Sequence, residues 1–298
     1  MTDLATPTPT LELRSATLRR AGAQLIDALS CRSLAPRIGL VGDWSTLLQA
    51  LTGRAELAAG SARVLGSELD RALRDGTVGL ALCDPALPES LTVREYLQHA
   101  ARLSHGSLAR AQRDTTHALD RFGLNELAAR KLARTTLFQR RAVGIALASL
   151  GSPPVVWLES PLSGLDAPAA DYVARLCVEV ATRSRLILCA PRPHSPSPER
   201  SLLETCDELL CLERGLLVAQ GPPAQVLAPS GRYLLSVSGE TNAAYSSALR
   251  AAGCVVSSRD RAGDYLVELP PNGNTDVLLD TALDQHLIVV ELEPLGPA

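Results

Sequence analysis

Arg37-Ile-Gly-Leu-Val41, Gly42-Asp-Trp44 and Ser45-Thr-Leu-Leu-Gln-Ala-Leu51 read in turn as a strand, a tight turn and a helix. The first run is short and apolar, as expected of a strand buried on both faces. Ser45 or Asp43 is placed to cap the helix, since a short side chain bearing oxygen accepts from its first free N–H groups. Strand, turn and helix N-terminus in this order form the setting of a phosphate loop. Such a loop needs glycines, because the backbone must come close in unusual torsions, and a lysine to neutralise charge. The pattern G-x-x-x-x-G-K-[ST] puts six residues between its first glycine and its hydroxyl. Only Asp43 and Trp44 lie between Gly42 and Ser45, and the second glycine and the lysine are missing. Two residues cannot wrap a phosphate, and Asp43 sets a negative charge where one would sit. The segment is therefore read as a strand and helix kept for the core.

Outward from this stretch, Leu11 to Arg19 and Gln24 to Leu29 read as neighbouring strands. Val78 to Leu82, Val155 to Leu158 and Leu186 to Cys189 are further buried strands. Thr92 to about Leu150 is mostly helical, dividing near Ser104–Ser107 and Phe122–Gly123, and Ala167 to Thr182 is helical. Pro191 to Pro198 holds four prolines and continues neither a helix nor a central strand. Leu209–Glu213 and Leu216–Gln220 flank Arg214-Gly215 as a hairpin. Gly221-Pro-Pro223 and Pro229-Ser-Gly231 mark a boundary. Beyond it come a strand at 232–238, a helix at 242–252, strands at 254–259 and 265–269, a helix at 275–283 and a strand at 288–292. That β-α-β-β-α-β order predicts a small ferredoxin-like module.

Of the 298 residues, 46% are hydrophobic and 20% charged, which is enough to bury a sizeable core and excludes general disorder. The net charge of −3 gives no electrostatic case for nucleic acid. Lys131 is the only lysine. The seven cysteines, at 31, 83, 177, 189, 206, 211 and 254, show no Cys-x-x-Cys spacing and read as reduced, buried small residues. Residues 1–10 are polar and rich in Pro and Thr, unlike a signal peptide, and no apolar run approaches the roughly 20 residues of a membrane span.

Residues 11–227 resemble an ATP-binding-cassette (ABC) ATPase. Four stretches carry the resemblance. Ile38–Gly42 with Ser45–Gly53 is similar to the Walker A strand and helix. Leu91-Thr-Val-Arg-Glu-Tyr-Leu97 is similar to the opening of the helical subdomain. Gln139-Arg-Arg-Ala-Val-Gly-Ile-Ala-Leu-Ala148 resembles the helix after the signature, and Ser163-Gly-Leu-Asp166 resembles the D-loop. Gly215–Pro223 is also similar to the family's last hairpin. The resemblance implies a P-loop NTPase-like fold, a mixed sheet plus helical subdomain, over 11–228, with the helical subdomain at about 84–150. A small α+β domain follows at 231–298, after a flexible tail at 1–10.

The resemblance also assigns the site. Gly42, Ser45 and Thr46 stand at the phosphate-loop positions and Cys83 at the Q-loop glutamine, where a soft thiol is a poor magnesium ligand. The adenine-stacking aromatic falls near Arg20. Thr135-Thr136-Leu137-Phe138 replaces the signature Leu-Ser-Gly-Gly ahead of Gln139, bringing bulk where glycine is needed. Glu159 takes the magnesium-side aspartate position and Ser160 the general-base glutamate position, yet a hydroxyl is a very weak base. Pro191 takes the switch-histidine position; His194, three residues on, reads as an exposed loop histidine. The D-loop Ser163-Gly164-Leu165-Asp166 persists. The expectation is a pseudo-ATPase without cofactor, cytoplasmic and held at the inner membrane by a membrane-spanning subunit. It pairs with a second ATPase-like subunit as a hetero- or homodimer, and its docking surface lies around Cys83–Val93. The alternative is a subunit that still binds or slowly hydrolyses ATP with magnesium through Glu159 and Thr46. The 231–298 module is expected to be an accessory packing or dimerisation domain.

Overall fold

The computed structural model describes residues 7–105, 107–193, 197–213, 215–228, 231–239, 243–258, 263–270 and 273–294. The chain divides into two compact units, Met1–Pro223 and Ala224–Ala298.

The larger unit opens with β1 (Leu11–Arg20) and β2 (Ala23–Ser33), an antiparallel pair turned at Ala21-Gly22. β3 (Arg37–Gly42) leads to α1 (Ser45–Leu51), and β4 (Glu56–Val64) and β5 (Ser67–Glu68) follow. β4 returns to pair antiparallel with β1, giving a four-stranded sheet in the order β2-β1-β4-β5. The sequence reading assigned neither β4 nor β5. β4 is rich in small residues and broken in register near Gly60, so its propensity signal is weak and tertiary pairing decides it.

β6 (Val78–Ala81) precedes α2 (Val93–His105), α3 (Leu108–Arg121) and α4 (Leu137–Ala148). The stretch expected to be mostly helical from Thr92 is interrupted between α3 and α4 by single 3₁₀ turns at Asn125–Leu127 and Leu132–Arg134. Ser107 caps α3, accepting from Arg110 N–H, and Thr92 and Glu95 bond reciprocally at the start of α2. β7 (Val155–Glu159), α5 (Ala167–Val180), β8 (Arg185–Ala190), α6 (Pro198–Leu203), β9 (Glu208–Glu213) and β10 (Leu216–Gly221) complete the framework, and α7 (Pro223–Val226) follows. α6 starts directly on the last proline of the Pro-rich segment, at the first helical position where the missing N–H costs nothing. The second sheet runs β10-β9-β3-β8-β7-β6, parallel from β9 to β6 with β10 antiparallel at its edge. One core joins the two sheets and α1, including Leu11, Leu18, Ile38, Leu40, Trp44, Leu47, Leu51 and Trp157.

The smaller unit contains β11 (Arg232–Ser238), α8 (Ala243–Ala251), β12 (Val255–Ser258), β13 (Asp264–Glu268), α9 (Asp276–Asp284) and β14 (Ile288–Pro294). Its antiparallel sheet has the order β12-β13-β11-β14, with the two crossover helices α8 and α9, which is the ferredoxin-like arrangement. Leu235, Val267, Tyr245, Leu249 and Leu278 fill its core. The rings of Tyr245 and Tyr265 meet edge to face at 5.6 Å, and Tyr245 Oη donates to the Leu278 carbonyl at 3.1 Å. Burial pushes the Tyr245 hydroxyl up to about 12.

All seven cysteines are free; six are buried and Cys83 is half-buried. Among the described residues no helix is long and apolar enough to cross a membrane.

Candidate functional site

The turn after β3 differs from the expected cap. The residue before α1 is Trp44, with φ −95° and ψ 8°, and it makes no side-chain cap. Asp43 and Ser45, the two candidate caps, bond to each other: Asp43 Oδ1 accepts from Ser45 Oγ at 2.6 Å and from Ser45 N–H at 3.3 Å. Asp43 N–H donates to the Leu212 carbonyl at 3.4 Å and Trp44 N–H to the Gly42 carbonyl at 3.1 Å. Three consecutive N–H groups, the kind that cradle a phosphate, thus all point to acceptors of their own chain.

Gly42 and Trp44 explain the turn's shape. Gly42 has φ +94°, and a Cβ there would stand 2.1 Å from the Leu212 carbonyl oxygen. The glycine is needed for the approach of β3 to β9, whatever else binds nearby. Trp44 is 1% exposed, and its indole N–H donates to the Val41 carbonyl at 3.1 Å. A buried tryptophan with its one donor satisfied anchors the turn to the core.

At the carboxyl ends of β3, β7 and β8 lies a cleft of about 130 Å³, lined by Gly42, Asp43, Trp44, Ser45, Leu48, Glu159, Ser160, Cys189, Ala190 and Pro191. It lies well below the roughly 300 Å³ at the small end of ligand pockets. Glu159 Oε2 accepts from Cys83 N–H at 2.9 Å, which ties the end of β7 to the segment after β6. Ser160 has φ +39° and its N–H donates to the Cys189 carbonyl at 2.8 Å. Behind it, Trp157 Nε1 donates to Cys189 Sγ at 3.0 Å, while burial pushes that thiol up to about 12.

The charge of the cleft is negative. Asp43 and Glu159 line it, and none of the lining residues is basic. Arg192, next to Pro191, has its guanidinium on the Glu213 carboxylate and a contact with Cys211 Sγ at 3.6 Å. Lys131 forms a backbone bridge with Thr92 at the foot of the helical segment and does not line the cleft.

The second group of sequence-picked residues sits apart from the cleft, at the start of α4. Gln139 Oε1 accepts from Thr136 N–H at 3.0 Å, closing the first turn of the helix. Leu137 is 41% exposed, and Phe138 meets Tyr172 of α5 edge to face at 5.8 Å. The segment Ser163–Asp166 lies against this turn. Arg141 Nη2 donates to the Ser163 carbonyl at 3.3 Å, and a Cβ on Gly164 would stand 3.7 Å from Leu137 Cδ2. Asp166 Oδ1 accepts from Ala169 N–H at 2.9 Å and caps α5.

Thus Gly42, Ser45, Glu159, Ser160 and Pro191 share one cleft, with Cys83 at its border through the backbone. Thr46 is 5% exposed and is not among the residues that line the cleft. Thr136 to Gln139 and Ser163 to Asp166 form a second patch. His194 lies outside the described residues. Trp44 and Arg192 were not singled out from sequence; the bulk of a tryptophan inside a glycine-poor turn was the available sign for the first.

This architecture is that of an ABC ATPase nucleotide-binding domain. Residues 41–163 match the ABC transporter family. The structure of cbiO1 from Clostridium perfringens, described as part of the ABC transporter complex cbiONQ, superposes with a TM-score of 0.64 at 19% identity, covering 74% of this chain and 91% of that one. The ATP-binding subunit of another ABC transporter superposes with a TM-score of 0.60 at 21% identity, covering 72% and 90%. In sequence, the human ATP-binding cassette sub-family G member 5 is 31% identical over 193 residues, 61% of this chain and 29% of that protein. The ABC-type transporter claG of Penicillium crustosum is 31% identical over 189 residues, 60% of this chain and 25% of that protein. The chain therefore spans less than a third of the length of these curated relatives.

Proposed function

We propose that this chain is a non-hydrolysing ABC-transporter subunit, an ATPase-like scaffold that docks on a membrane-spanning subunit and pairs with a second ATPase-like chain. The observation that carries the reading is the turn at 43–45, whose three N–H groups are all bonded within the chain. Magnesium-ATP does not fit the residues present. A polyphosphate there meets Asp43 and Glu159 with no lining cation, and two like charges about 4 Å apart repel by on the order of 4 kcal/mol at a dielectric near 20. Ser160 supplies no general base, and Pro191 supplies no proton-bearing side chain at the switch position. General acid–base catalysis alone is worth about 10²–10⁴ in rate. The separate patch at Thr136–Gln139 and Ser163–Asp166 is the surface offered to the second ATPase-like chain, and the segment around Cys83–Val93 the surface offered to the membrane subunit. Likeness to part of larger transporter chains and to a subunit of a multi-subunit transporter supports an association with the membrane through partners, on its cytoplasmic face.

A reading in which nucleotide is still held draws on Glu159, whose side chain lines the cleft. The two readings separate in one experiment. The tagged chain is purified from detergent-solubilised membranes, and both its partners and its ATP turnover are measured. Recovery of a membrane-spanning protein without turnover attributable to this chain is expected. Turnover by the isolated chain, abolished by Glu159→Gln, overturns the proposal.

A further inference from the structure

The charge of the chain is unevenly placed. Residues 224–298 contain nine acidic and four basic residues, a formal charge of −5, against −3 for the whole chain. On α9 this excess is ordered. Asp276, Asp280 and Asp284 recur at every fourth position and Leu279 and Leu283 form the adjacent row, while Leu278 and Ala282 face the core. All five outward residues are exposed; Leu279 is 43% and Leu283 73% exposed. Like charges at i,i+4 destabilise a helix by about 0.2–0.5 kcal/mol per pair, and an aspartate in the last turn opposes the helix dipole. Asp276 is met by Asn274 Nδ2 at 2.6 Å, but among the described residues no cation pairs with Asp280 or Asp284. α9 itself contains neither arginine nor lysine. A leucine row beside an unneutralised aspartate row is the shape of one half of a helix-to-helix contact.

We propose that the outer face of α9 docks a basic amphipathic helix of another protein, whose aliphatic row packs on Leu279 and Leu283 while its Lys or Arg side chains meet Asp280 and Asp284. Charge complementarity selects this occupant. A second copy of α9 brings aspartate to aspartate, and an anionic lipid surface repels the same row. The proposal rests on α9 alone and stands whether or not the larger unit binds ATP.

The test uses the full chain and a labelled helical peptide of leucine and lysine with leucines in one row and lysines in the next, read by fluorescence anisotropy at low and at 0.3 M salt. Binding is expected to weaken at least tenfold in Asp280→Lys/Asp284→Lys and in Leu279→Ser/Leu283→Ser. The matched-charge control Glu126→Lys/Asp171→Lys, in the larger unit, is expected to bind as the parent does, and the same peptide with glutamate for lysine not to bind. All six substituted positions are exposed, and circular dichroism verifies that each variant is folded. Equal binding by parent and α9 variants, equal losses in the control, or self-association of the chain blocked by the α9 variants in the absence of peptide each overturns it.

Discussion

Trp44 holds the turn between β3 and α1, the turn that the sequence resemblance aligns with a phosphate loop. Its ring is sealed in the core between the two sheets, and its N–H is bonded to Val41. Trp44→Ala is expected to destabilise the larger unit by about 3–5 kcal/mol, the usual loss for a large aromatic in a core, measured by denaturant unfolding. A turn built for a ligand would instead lose affinity with little loss of stability. Ser160 is a separate case. Ser160→Glu puts a carboxylate at the position the sequence resemblance aligns with the general base, while the turn at 42–45 still has neither lysine nor a second glycine. If the proposed reading holds, the variant shows no ATP turnover above the parent in a phosphate-release assay; turnover gained by the variant would contradict it. The shortened spacing between Gly42 and Ser45 was legible in the sequence. The bond of the Asp43 N–H was not, because it depends on Leu212, far along the chain.

At the scale of elements, parallel strands join residues that are distant in sequence. β3 meets β9 through Arg37, whose Nη2 and Nε reach Asp207 at 2.5 and 3.0 Å, while its backbone N–H reaches the same carboxylate at 3.0 Å. The side-chain bond from Arg37 holds the Asp207 carboxyl below its ordinary 3.8. A carboxyl lowered on folding adds stability above its unfolded value, and that stability is lost as pH falls through the lower folded value. Asp207→Asn is therefore expected to cost about 0.5–1 kcal/mol at pH 7, as befits a partly exposed pair, with the difference from the parent shrinking as pH falls below 3.8 in urea titrations. An undiminished difference at pH 2 would assign the effect to packing. The strands with apolar β-branched runs, β3, β7 and β8, were legible, as was the alternation of the small unit. β4 was not, because Ala58-Ala-Gly-Ser-Ala62 has no strand preference of its own and is ordered by β1. α6 was hidden by the prolines ahead of it, although Pro198 serves as its first residue.

At the scale of the molecule, the larger unit keeps the ABC framework while its cleft carries the opposite charge to a phosphate site. The cysteines follow the same division between framework and surface. Burial pushes the thiols of Cys31 and Cys206 up to about 12, and Cys177 upward as well, so they stay protonated and shielded. Cys83, beside the cleft, is half-buried. Iodoacetamide at pH 8 is expected to label Cys83 ahead of the other six in peptide mapping of the folded chain; early labelling of Cys177 or Cys189 would indicate that the parallel sheet opens readily. The α/β fold was readable because the order of strands and helices rests on patterning along the chain. The composition of the cleft was readable only in part, since its lining comes from three separate segments.

The central claim is that the turn at 43–45 is closed to nucleotide, and calorimetric titration of the purified chain with magnesium-ATP at millimolar concentration tests it most directly. No saturable heat is predicted. Saturable binding that requires magnesium and is lost in Glu159→Gln would contradict the claim and make the chain a nucleotide-binding subunit.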